Sequence, residues 1–107
     1  MGLRGSILAA GVVLAVSVAS ASAAETIKVT IKGMKFDPAE ITAHVGDTIE
    51  WSNQDFVAHT ATGTNKEWDV TIGPGKTGTF VVDKVGAVAY FCRFHPNMKA
   101  KVDVVAN

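Results

Sequence analysis

The chain has 107 residues, enough for one small domain, since single cores usually occupy about 100 to 150 residues. Ten basic and ten acidic side chains give a formal net charge of zero, which argues against a nucleic-acid binder and against charge-driven contact with a membrane surface. A hydrophobic content of 48% indicates a folded chain, and a single cysteine excludes an internal disulfide.

The N-terminus has the layout of a secretory signal peptide. One basic residue precedes an apolar run from Ile7 to Val18, and small residues follow it. The run is short for a membrane-spanning helix, which needs about 20 strongly apolar residues, although an uncleaved anchor is the alternative. We predict a signal peptide over residues 1–24, cleaved after Ala23 or Ala24, and a single domain over residues 25–107. The mature protein is then periplasmic or otherwise exported, without a membrane anchor.

The rest of the chain is predicted as short strands in a two-sheet antiparallel sandwich, because no segment after the leader keeps a helical pattern for three turns. Ile27, Val29 and Ile31 alternate with polar residues, the period of two that gives a strand one apolar face. Further predicted strands, rich in β-branched and aromatic residues, are 41–43, 48–52, 68–72, 79–82, 88–91 and 100–104. Turns are predicted at 45–47, 53–55, 73–75 and 85–86. Trp51 and Trp68 are expected in the core.

A thiol, an imidazole and a thioether recur at three-residue intervals near the C-terminus, in Cys92, His95 and Met98. A compact loop can turn all three side chains toward one point, whereas a strand would place them on both faces, so we predict a loop. Soft sulfur ligands with imidazole suit copper, and a thiolate, two histidines and a weak axial methionine form the electron-transfer copper site. The alternatives are a buried cysteine, a turn histidine and a core methionine. An exported free thiol favours ligation.

His59 is the candidate for the second imidazole. It follows the loop 53–58 after the strand that ends near Trp51, and that loop can meet the Cys92 loop at one end of a sandwich. An exposed loop histidine is the alternative for this residue. His44 lies beside the predicted turn at 45–47, at the opposite end, and is predicted to be in solvent.

These motifs resemble the cupredoxins, the type 1 blue copper proteins, and most of all the small amicyanin- and pseudoazurin-type members. The tight Cys-x2-His-x2-Met loop is similar to that of amicyanins, and segments 36–42, 45–51 and 90–92 also fit small cupredoxins in order. The resemblance implies an all-β, two-sheet Greek-key β-sandwich that binds one copper ion. The ligands that it implies are His59, Cys92, His95 and Met98.

One position departs from the family pattern. Many cupredoxins carry Asn after the first histidine ligand, where it ties the two ligand loops together, and this chain has Thr60. We expect the threonine hydroxyl to take over that role only in part.

The resemblance implies a monomeric carrier that shuttles single electrons between transient redox partners by Cu(I)/Cu(II) cycling. The donor would be a dehydrogenase or reductase and the acceptor a cytochrome or oxidase. Since protein ligands fill every coordination position of the metal and leave none open for a substrate, the chain is predicted not to be an enzyme. A copper-binding or copper-delivery protein is the alternative, although such a site would more often expose several Met or His ligands. A metal-free exported sandwich is a third reading, and it would have no use for Cys92.

Overall fold

The computed structural model describes residue 11 and residues 23–107. Nine strands form in that part of the chain: β1 (Thr26–Ile31), β2 (Phe36–Asp37), β3 (Glu40–His44), β4 (Thr48–Asn53), β5 (His59–Gly63), β6 (Asp69–Ile72), β7 (Thr77–Val81), β8 (Gly86–Cys92) and β9 (His95–Val105). The signal peptide predicted over residues 1–24 lies outside the described residues, apart from residues 11, 23 and 24, and stays a prediction. None of the described residues belongs to a helix long and apolar enough to cross a membrane.

The strands form two sheets, which confirms the predicted all-β sandwich. The first has the order β2-β1-β4-β7, and the second has the order β3-β9-β8-β5-β6. The expectation of purely antiparallel pairing is wrong, because β1 runs parallel to β4 and β3 runs parallel to β9. The partners in these pairs are distant in the chain, which passes through other strands before it returns. A tight hairpin turn enforces antiparallel pairing only between consecutive strands.

Aromatic side chains fill the space between the sheets. Strand β4 alternates partly buried and buried residues, and its inward positions carry Ile49, Trp51 and Asn53. Trp51 stacks on Trp68 with ring centroids 5.7 Å apart, and its indole N–H donates to the Tyr90 hydroxyl over 3.3 Å. Burial raises the pKa of Tyr90 to about 12, so this hydroxyl is neutral. Both tryptophans are core aromatics, as predicted.

The sequence pattern missed two strands, β2 and β5. Strand β5, with the sequence His-Thr-Ala-Thr-Gly, is buried at all five positions, so it shows none of the apolar and polar alternation that marks a half-exposed strand. It lies between β8 and β6 in its sheet. This strand begins at His59 and therefore positions one side of the candidate site.

Candidate metal centre

Three donor side chains meet at one end of the sandwich. His59 opens β5, Cys92 ends β8 and His95 opens β9, and one ligand atom from each lies within 4.8 Å of the others. The Cys92 Sγ is 3.8 Å from His59 Nδ1 and 3.7 Å from His95 Nδ1. Metal–nitrogen bonds of about 2.0 Å and metal–sulfur bonds of about 2.3 Å place such ligands of one ion about 3.5 to 3.7 Å apart. The three donors therefore fit a single metal ion.

The turn between β8 and β9 brings Cys92 and His95 together. Cys92 pairs with His95 across the turn residues Arg93 and Phe94, and the register shifts between Phe91 and Cys92. The prediction that one compact loop carries Cys92, His95 and Met98 is therefore wrong in extent, because β8 ends at Cys92 and β9 already begins at His95. The alternation of faces along one strand does not separate the two side chains, because they belong to different strands and face each other across the turn.

Met98 lies in β9, three residues after His95, and is 4% exposed. It is in phase with the buried positions of β9 that follow it, so its side chain is directed inward. Met98 and His95 also line one surface pocket of 640 Å³, together with Met34 and Phe94. Met98 thus lies beside His95 at this end of the fold.

The candidate ligands differ in their access to solvent. His59 and Cys92 are fully buried, whereas His95 is partly exposed. His44 ends β3 at the other end of the sandwich, beside Asp47, and its side chain is 53% exposed. His44 therefore lies in solvent, as predicted, and takes no part in the cluster.

A hydrogen bond to a carboxylate orients the buried histidine. Asp55 Oδ2 is 2.8 Å from His59 Nε2, and the same carboxylate accepts hydrogen bonds from the backbone N–H groups of Met34 and Gly33. These two bonds, Met34 first, hold the pKa of Asp55 below its ordinary value of 3.8. A carboxylate only accepts, so Nε2 carries the proton, and Nδ1 keeps the lone pair that faces Cys92.

Thr60 links the two ligand segments. Its backbone N–H donates to Cys92 Sγ over 3.3 Å, and its hydroxyl accepts from the backbone N–H of Arg93 over 2.8 Å. A threonine hydroxyl thus makes the bond between the two segments at the position where many cupredoxins carry Asn. The thiol sulfur receives a hydrogen bond suited to a thiolate.

Sequence reasoning missed two residues that build this end of the molecule. The sequence predicts only a turn at Asn53 and Asp55, yet Asp55 contacts a candidate ligand and Asn53 holds the loop in which Asp55 lies. The Asn53 side-chain amide donates to the carbonyl groups of Val57, Ile72 and Gly73. An acidic residue in the loop before a candidate ligand histidine is the sequence signal that could have identified Asp55.

A β-sandwich that carries a Cys and two His at one end is the arrangement of a cupredoxin. The model of the cupredoxin-like domain family matches residues 6–104, and the chain belongs to this family. Amicyanin-alpha of Methylorubrum extorquens is 35% identical to it over 104 residues, which cover 91% of this chain and 84% of that protein.

Solved structures agree with this assignment. A reduced proline-to-phenylalanine mutant of amicyanin has a TM-score of 0.66 at 29% identity, covering 75% of this chain and 82% of that one. The Cu(I) form of a methionine-to-alanine mutant of amicyanin has a TM-score of 0.67 at 28% identity, with coverage of 78% and 86%. A purple cupredoxin from Nitrosopumilus maritimus has a TM-score of 0.66 at 23% identity, with coverage of 74% and 99%, and shows the fold alone.

Copper is the cofactor that the family and the donor set share. Cupredoxins bind one copper ion, and a thiol, two imidazoles and a nearby thioether are the soft and borderline donors that copper prefers. The predictions of family, fold class and cofactor are therefore confirmed.

Proposed function

We propose that the chain is an exported type 1 blue copper protein that shuttles single electrons between redox protein partners. The proposed ligands are His59, Cys92, His95 and Met98. The observation that carries the proposal is the arrangement of Cys92 Sγ between two Nδ1 atoms, at 3.8 and 3.7 Å, in a buried site. The bound ion supplies the one-electron Cu(I)/Cu(II) couple.

The residues around the site act by holding the donors still. Asp55 fixes the ring of His59 through Nε2, and the N–H of Thr60 fixes the sulfur of Cys92. Donors that are already in place need little rearrangement when the charge of the site changes, and preorganised dipoles cost little reorganisation. Such a site favours fast electron exchange.

Burial of the donors argues against an enzyme and against copper delivery. A catalytic metal site keeps an open position for substrate, whereas three of the four proposed ligands are buried. A delivery site must release its metal to a partner, and a buried thiolate with a carboxylate-anchored histidine opposes release. Delivery remains the alternative that the experiment below distinguishes.

The partly exposed His95 is the proposed point at which electrons enter and leave. An apolar rim surrounds this end of the molecule and is made of Met34, Phe56, Val57 and Phe94, all of them exposed. Met34 and Phe94 line the same pocket as His95, and the bond from Met34 N to Asp55 brings the loop with Phe56 and Val57 beside them. An exposed apolar patch of this kind suits the small, short-lived interface of redox partners. A donor dehydrogenase or reductase and an acceptor cytochrome or oxidase, in the periplasm, are the partner classes that fit.

The test adds Cu(II) to the purified apoprotein. We expect an intense blue thiolate-to-copper absorption at one equivalent, its loss on reduction and its return on oxidation. Cys92→Ser is expected to abolish the band, because the thiolate supplies the charge transfer. It is expected to keep the β-sheet circular dichroism, because serine is close to cysteine in size and its oxygen can still accept the hydrogen bond from the Thr60 N–H at this buried position. His44→Ala is the control and should stay blue. A blue Cys92→Ser protein would refute the proposed site, and rapid loss of copper to a weak chelator without electron exchange would favour delivery.

A further inference from the structure

A ring of hydrogen bonds leads from the candidate copper site to the surface. Beyond the Thr60 bonds to Cys92 and Arg93 already described, the Thr60 and Thr62 hydroxyls are 2.9 Å apart. Thr62 Oγ1 donates to Asp69 Oδ1 over 2.7 Å, and Arg93 Nε donates to the same oxygen over 3.1 Å. Arg93 therefore enters the ring twice, through its backbone N–H and through its guanidinium.

The Asp69 carboxylate determines which group donates and which accepts in every hydrogen bond of the ring. Hydrogen bonds from Thr62 and then from Arg93 hold the pKa of Asp69 below its ordinary value of 3.8, so the group is a carboxylate that only accepts. Thr62 uses its proton on Asp69 and must accept from Thr60. The Thr60 oxygen in turn accepts from Arg93 N–H. Each threonine hydroxyl therefore donates one hydrogen bond and accepts one, and this order of donors and acceptors is fixed by the Asp69 carboxylate.

Packing alone does not explain the two threonines. Thr60 is fully buried and Thr62 is 9% exposed, on a strand that is buried along its whole length. Valine has the same shape, and a buried hydroxyl is costly unless it is hydrogen-bonded. Asp69 lies opposite Thr62 across β5 and β6, which is the position from which a carboxylate reaches that hydroxyl.

We propose that Asp69 is a positioning residue of the copper centre, and that it acts through Thr62, Thr60 and Arg93 on the turn that carries Cys92. Asp69 is about half exposed and forms its ion pair at the surface, yet its carboxylate terminates the chain of bonds that holds Arg93 N–H on Thr60. Because Arg93 follows Cys92 directly, the bond from Arg93 N–H to the Thr60 hydroxyl keeps the Cys92 sulfur within hydrogen-bond distance of the Thr60 N–H. The proposal rests on the proposed function where it concerns copper, and on this chain's own contacts where it concerns the turn.

The first test uses the apoprotein and needs no copper. Amide hydrogen exchange is compared between wild type, Asp69→Ala and Thr62→Val, with Thr62→Ser as the conservative variant. Loss of the ring is expected to raise exchange at the Arg93 and Thr60 amides roughly tenfold, the equivalent of one hydrogen bond. Thr62→Ser should exchange both amides at the wild-type rate, because it keeps the hydroxyl. Glu67→Ala is the control, since Glu67 forms another exposed ion pair, with Lys84, outside the ring.

The second test uses the copper-loaded proteins. Asp69→Ala and Thr62→Val are each expected to shift the thiolate-to-copper band and the reduction potential in the same direction, while Glu67→Ala leaves both unchanged. Thr62→Val keeps the side-chain shape and leaves the Asp69–Arg93 pair intact, so a defect in folding or in surface charge alone would not reproduce this pattern. Unchanged exchange at both amides in either variant would overturn the proposal. A wild-type protein that is not blue would refute the proposed function, and the exchange experiment would still decide the role of the ring.

Discussion

Replacement of Asn53 by Ala tests how the loop before His59 is held. Asn53 is 1% exposed at the end of β4, and its amide nitrogen donates to Val57 O at 2.8 Å, Ile72 O at 3.1 Å and Gly73 O at 3.2 Å. Its Oδ1 accepts from the backbone N–H of Asp55 at 2.9 Å. One side chain therefore joins the loop that carries Asp55 to the turn that follows β6.

The expected loss of stability follows from about three full hydrogen bonds, because the two amide hydrogens of Asn53 are shared among three carbonyl groups and its Oδ1 accepts one more bond. A typical intramolecular hydrogen bond contributes about 1 kcal/mol net, so we expect Asn53→Ala to lower the free energy of unfolding by about 3 kcal/mol. For a domain of this size that corresponds to a fall in Tm of roughly 12 to 24 °C. Asn53→Asp keeps the shape and the acceptor but turns an oxygen toward the three carbonyl groups. It should be the more destabilising of the two.

Urea unfolding of the apoproteins measures the effect without a contribution from bound metal. Gln54→Ala, at the exposed neighbouring position, is the control and should remain within about 0.5 kcal/mol of wild type. We also expect weaker copper binding by Asn53→Ala, because the loop that presents Asp55 to His59 is loosened. A loss below about 1 kcal/mol, or an Asn53→Asp protein as stable as wild type, would refute the role assigned to the amide donor.

Three further outcomes are expected. Met98→Gln should keep copper bound and lower the reduction potential measured by voltammetry, because a harder oxygen donor favours Cu(II), and complete loss of copper would contradict an axial role. Val57→Glu should slow electron transfer to a partner in stopped-flow experiments without changing the blue spectrum. Val85→Glu, outside the apolar rim, should leave the electron-transfer rate unchanged. Equal rates for the two variants would contradict the role of the rim as a docking surface. A hydrogen bond from the backbone N–H of Glu25 is the main cause that holds the pKa of Asp47 below 3.8. The advantage of wild type over Asp47→Asn should therefore be fully present at pH values well above the ordinary pKa of 3.8 and should shrink as the pH falls toward and through the lower folded pKa. An advantage in unfolding free energy that does not change with pH in the acid range would contradict this expectation.

The sequence by itself determined the fold class and the chemistry of the site. Strands such as β1 and β9 show alternating burial because one face meets the core and the other meets water, and that period is visible in the residue types. The choice of Cys92, His95 and Met98 depended on donor softness and local spacing, which are properties of the residues themselves.

Tertiary structure alone decided which distant residues support those donors. Strand β5 is buried on both faces, so its burial leaves no period in the sequence, and the parallel pairs join strands that are far apart in the chain. Asp55 became a partner of His59 because two backbone N–H groups of the β1–β2 turn orient its carboxylate. Asp69 is connected by hydrogen bonds to the turn after Cys92 only because the register of β6 against β5 places it opposite Thr62. Hydrogen bonds depend on distances of a few tenths of an ångström between separate segments, and packing of the two sheets sets those distances.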